Sequence, residues 1–194
     1  MIPRGNDLMN VEAVFGGTDL HRYARQQEWA KLLAACDGHR LRILNEYNRT
    51  PLHYCIEGGA PDDVILELVK VAPFQVRVRD ASGETPLHLG CFMGMGLVVT
   101  YALLEADARS ARGSKSVLTI RNKEGKTPLC IMRNSHRASS LVRAFVAEHF
   151  KFQALQNTVK NKRPWKFHRE EYDAVLDVLE ESARGGTGVV GLAY

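Results

Sequence analysis

The chain has 194 residues, 45% of them apolar, and a formal net charge of +4. That composition suits a soluble globular protein with room for one domain and tails. No apolar run approaches the roughly 18 residues of a bilayer span, and Met1–Asp7 lacks the apolar stretch of a secretion signal, so a cytoplasmic or nuclear protein is expected.

Residues 1–12 read as a flexible lead-in. Thr18-Asp19-Leu20-His21 then opens the first of four related segments. Residues 19–36 are expected to form a helix pair, with Trp29, Leu32 and Leu33 supplying an apolar face and Asp37-Gly38 the stop. Thr50-Pro51-Leu52-His53 and Thr85-Pro86-Leu87-His88 repeat the opening in full. Thr127-Pro128-Leu129-Cys130 repeats it with one change. The four starts are spaced by 32, 35 and 42 residues. Periods in this range mark chains built by stacking one small unit.

Each tetrapeptide reads as a helix start. Thr can cap the helix, Pro fits its first turn, and Leu begins the apolar face. Two residues before each Thr stand Gly16, Asn48, Gly83 and Gly125, which tolerate a left-handed backbone. Asn45, Asp80 and Asn122, five residues before, can bond their own backbone and close a turn. Ile43, Val78 and Ile120, seven before, suit an extended segment. Downstream, Gly58-Gly59 and Gly94 end a first helix. A second follows, with Val64, Ile65, Leu68 and Val69 in one unit and Val98, Val99, Leu103 and Leu104 in the next as its buried stripe.

The run Asp80–Cys91 resembles the opening of an ankyrin repeat almost position by position, and the unit 45–76 nearly as well. The resemblance covers roughly residues 13 to 150. It implies an all-α solenoid of about four stacked helix-turn-helix units with hairpin loops, whose outer two units act as caps. It also implies that the motif His bonds the backbone of a neighbouring loop. The expected repeat domain runs over 13–155.

Cys36, Cys55, Cys91 and Cys130 lie at long, uneven intervals with no C-x2-C pair. They read as small buried hydrophobes, kept reduced. No metal and no cofactor are expected, and no nucleophile–base series argues for catalysis, so the chain is not expected to be an enzyme.

Two stretches depart from the generic unit. The long interval before Thr127 holds a basic insertion, about 109–126, with Arg109, Arg112, Lys115, Arg121, Lys123 and Lys126 against Glu124. After the last unit, Leu141, Val142, Phe145, Val146 and Phe150 form an apolar stripe on a helix expected to run to about Leu155. A basic linker follows, with Trp165 and Phe167 among its cations. Residues 168–183 then read as an amphipathic helix, with Tyr172, Val175, Leu176 and Leu179 on one face. It either caps the stack, the favoured reading, or offers itself to a partner groove. Within 185–194, read as a flexible tail, Gly186–Gly191 matches G-x-G-x-x-G but lacks the strand before and the helix after that a dinucleotide site requires.

A stack of this kind makes surfaces, and the resemblance implies partner contacts from turn tips and first helices. Carried over by phase, these are Glu46, Tyr47, Arg49 and Glu57; Ala81, Ser82, Glu84, Phe92 and Met93; and Lys123, Glu124 and Lys126. The expected function is a monomeric, non-catalytic protein-binding adaptor. The alternative is a nucleic-acid-associated protein using 109–126 and the basic-aromatic segment 160–169, since cations and aromatics contact phosphates and stack on bases.

Overall fold

The computed structural model describes residues 17–110 and 116–161. The expected N-terminal lead-in, the C-terminal helix 168–183, the tail 185–194 and nearly all of the segment 160–169 lie outside the described residues.

Four helix pairs follow one another: α1 (Asp19–Arg25) and α2 (Trp29–Ala34), α3 (Pro51–Glu57) and α4 (Asp62–Val71), α5 (Pro86–Met93) and α6 (Leu97–Ser110), α7 (Pro128–Asn134) and α8 (Ser140–Asn161). Short 3-10 turns at Arg40–Arg42, Pro73–Arg77 and Val117–Thr119 join one pair to the next. No strand occurs among the described residues. The first helices pack in a row, α1 on α3, α3 on α5 and α5 on α7. The second helices form a parallel row, α2 on α4, α4 on α6 and α6 on α8.

The core lies between the rows. The motif leucines Leu20, Leu52, Leu87 and Leu129 are all fully buried, and burying each contributes about 2 kcal/mol. Leu68, Leu103 and Leu104 from the outer row meet them in one continuous cluster. Cys55 and Cys91 are buried and unbridged. Burial pushes both thiols well above their usual pKa, so they remain protonated.

Three features differ from the sequence-based expectation. Val98 and Leu141 do not join the buried stripe; they are 54% and 55% exposed. Val99, Thr100, Leu103 and Leu104 fill the core side of α6, and Val142, Val146 and Phe150 that of α8. Helix α8 runs to Asn161, past the expected end near Leu155. The basic insertion divides between two elements: Arg109 is in the last turn of α6, while Arg121, Lys123 and Lys126 belong to an ordinary inter-unit turn.

Candidate functional site

Each inter-unit turn is built from one Asx side chain. Asn45 Oδ1 accepts from the N–H groups of Tyr47 and Arg49. Asp80 Oδ1 accepts from Ser82 and Glu84, and Asn122 Oδ1 from Glu124 and Lys126. A carboxylate or amide oxygen there replaces a backbone acceptor and fixes the turn. The turns then need a left-handed residue, which is Asn48 at φ +56°, Gly83 at +77° and Gly125 at +77°. In the first unit Gly17, adjacent to Thr18, takes this conformation at φ +78°.

The turn tips are joined across units. Ala81 N–H donates to the Tyr47 carbonyl at 2.7 Å, and Lys123 N–H to the Ser82 carbonyl at 2.9 Å. The projecting side chains of three units therefore stand in a row.

The motif histidines lock that row to the helices. In each of Thr18, Thr50 and Thr85 the backbone N–H donates to Nδ1 of the histidine three residues on, at 3.1 Å. An accepting Nδ1 leaves the proton on Nε2. That N–H donates to the residue preceding the next unit's Thr: His21 to the Arg49 carbonyl, His53 to Glu84 and His88 to Lys126. Burial lowers the pKa of all three, to about 4 for His53 and His88, so they are neutral at pH 7. Cys130 stands where the fourth histidine would be. Its Sγ accepts from Thr127 Oγ1 at 3.3 Å, so the local cap survives while the reach to another unit is gone.

Against this frame the positions expected at the partner-facing surface separate into groups. Tyr47 and Phe92 are 55% and 57% exposed. Glu46, Ala81, Ser82, Lys123, Glu124 and Lys126 are also exposed at the turn tips. Lys126 Nζ lies 2.8 Å from Glu124, which holds the Glu124 carboxyl below its usual pKa. Glu84 is half-buried and accepts from Asn122 Nδ2. Met93 is partly covered by Arg137, whose Nη1 lies 3.6 Å from its Sδ.

Arg49 is engaged within the stack. Its guanidinium joins Glu57 at 2.6 Å and buried Asp80 at 3.2 Å, and it lies 5.4 Å from the Tyr54 ring centroid. It braces two units rather than standing free, and it holds Glu57 with it.

Arg137 was not anticipated. It sits on the loop before α8, outside the phase positions carried over from the repeat. Its guanidinium lies 5.8 Å from the Phe92 ring centroid. Ser135 Oγ anchors the loop by donating to the Phe92 carbonyl at 3.0 Å. Only the assembled stack brings residues 43 to 45 apart in sequence to one place. Among the described residues no group of three His, Cys, Asp or Glu could hold a metal ion, and no helix there is long and apolar enough to cross a membrane.

Two rows of helices, with Asx-closed turns projecting from one edge, define a helical-repeat solenoid. Residues 32–89 match the family described as ankyrin repeats (many copies), and the all-helical stack is consistent with that match. No curated protein matches the chain. Ankyrin repeats generally mediate protein–protein interaction and are typically non-enzymatic.

Proposed function

We propose that the chain is a non-catalytic adaptor that captures a protein partner on the face formed by its turn tips and first helices. The observation that carries this reading is the exposure of two large aromatic residues, Tyr47 and Phe92, on the side of the stack formed by turn tips and first helices. Tyr47 projects from a turn whose backbone is bonded to the next turn, and Phe92 sits at the end of α5 beside Arg137. Exposed aromatics and arginine on rigid supports are the residue types that carry interface energy. Lys123, Glu124 and Lys126 add a mixed-charge margin beside them, suited to a polar rim.

Arg49, Glu57 and Asp80 act beneath this face as a brace that holds the second and third units in register. The nucleic-acid alternative draws no specific support from the described basic residues. Arg121 Nη1 donates to the Gly125 carbonyl of its own turn, Lys126 pairs with Glu124, and Arg109 lies near Glu105. The test is partner capture by the wild-type chain and by Tyr47→Ala and Phe92→Ala. Capture should fall while the thermal melt is unchanged.

A further inference from the structure

The outer row carries an apolar stripe that the recognition face does not use. Val98 on α6 is 54% exposed and Tyr101, one turn further, is 53% exposed. Leu141 on α8 is 55% exposed, and half-buried Phe145 follows it by one turn. The two helices pack on each other, and the Tyr101 and Phe145 rings meet with centroids 6.3 Å apart. The stripe therefore crosses from one helix to the next.

This surface is specific to the C-terminal half of the stack. Val98 immediately precedes buried Val99 and Thr100, and Leu141 precedes buried Val142. In α4 the residue in the same place, just before buried Val64 and Ile65, is the exposed acid Asp63. A position facing water in the second unit is thus apolar in the third and fourth.

We infer that this stripe on α6 and α8 is the docking surface for the chain's own segment 168–183, packed antiparallel to α8. Three observations select that occupant. The first is pattern: Tyr172, Val175, Leu176 and Leu179 recur at i, i+3, i+4 and i+7, so one face of a helix here is apolar. Glu170, Asp173, Asp177, Glu180 and Glu181 keep the rest in water. The second is connection: α8 ends at Asn161, and the six residues 162–167, with Pro164 among them, suit a helix–helix turn, whose usual length is about 2–8 residues. The third is length: sixteen helical residues extend about 24 Å, and α8 from Asn161 back to Leu141 extends about 30 Å. A helix that started level with Asn161 would end about 6 Å short of Leu141, so the six-residue connection, at most about 20 Å long, carries its start along α8 and brings Leu176 and Leu179 opposite the stripe.

The test is amide hydrogen exchange on the full 194-residue chain at two protein concentrations. It compares the wild type with Val98→Glu/Leu141→Glu and with Leu176→Asp/Leu179→Asp. Both residues of the first pair are more than half exposed, so that variant spares the core. The docked arrangement predicts protected amides within 172–181 in the wild type, independent of concentration. Either double variant should abolish that protection while α3 and α5 stay protected. Exchange of 172–181 at the free-chain rate in the wild type would overturn the inference. So would protection that persists in Val98→Glu/Leu141→Glu. Protection that grows with protein concentration would overturn it too, by assigning the stripe to a second copy.

Discussion

His88 Nε2 lies 3.2 Å from the Lys126 carbonyl, joining the first helix of the third unit to the last turn residue of the fourth. His21 with Arg49 and His53 with Glu84 repeat the arrangement in the preceding units. The contacts form a series of buried ties along the stack. Each needs a neutral imidazole with its proton on Nε2 and its Nδ1 free to accept.

The first prediction concerns pH. Burial holds the folded-state pKa of His53 and of His88 down to about 4, below the usual 6.5 of a free imidazole. The unfolded chain therefore binds protons that the folded chain refuses. Their stabilising effect is complete above pH 6.5 and is lost as pH falls toward 4. Each histidine should cost about 1.4 kcal/mol per pH unit in that window. Urea midpoints measured at pH 7, 5.5 and 4.5 should fall steadily, and His88→Asn should flatten the slope while lowering stability at pH 7.

A second prediction concerns the closure of the long loop before the fourth unit. Asp107 is 1% exposed and is paired with Arg77. It also accepts from Ser116 Oγ at 3.0 Å and Val117 N–H at 2.9 Å. Asp107→Ala leaves a partly buried cation and a buried N–H without this acceptor. The expected loss is about 3–5 kcal/mol in denaturant unfolding, far more than Glu105→Ala on the same helix, whose ion pair with Arg109 is exposed and long.

Backbone geometry supplies a third. Gly94 has φ +78°, and a Cβ there would come within 2.5 Å of the Arg137 carbonyl oxygen. Gly59 also has positive φ, at +66°, but a Cβ would meet nothing within 4 Å. Gly59→Ala should therefore cost about 1 kcal/mol, the left-handed penalty alone. Gly94→Ala should cost clearly more and should disturb the loop carrying Arg137 beside Phe92. Thermal melts of the two variants give the comparison directly.

The turns, caps and inner helices were readable because each rests on local chemistry. Asn45, Asp80 and Asn122 bond backbone groups two and four residues away, and the Thr-Pro-Leu-His starts cap their own helices. The family resemblance then supplied the inter-unit reach of the histidines. Val98 was misplaced because Leu97-Val98-Val99 is apolar throughout, so the run does not mark which residue faces the core. The ion pairs of Arg49 were not legible because its partner Asp80 lies 31 residues away and their meeting depends on how two units stack. Arg137 was not found by repeat phase, since the phase positions carried over end on the first helix and its meeting with Phe92 depends on how two units stack. Local rules carry the scaffold, and the packing between units decides which side chains remain available to bind.

The most direct measurement is partner affinity and thermal melting of the same four chains: wild type, Tyr47→Ala, Phe92→Ala and His88→Asn. The recognition-face account predicts that Tyr47→Ala and Phe92→Ala weaken capture at least about tenfold, roughly 1.4 kcal/mol, with melts that overlay the wild type. His88→Asn should lower the melt first. Full-strength capture by Tyr47→Ala and Phe92→Ala alike would contradict the account, as would loss of capture only in chains whose melt also falls.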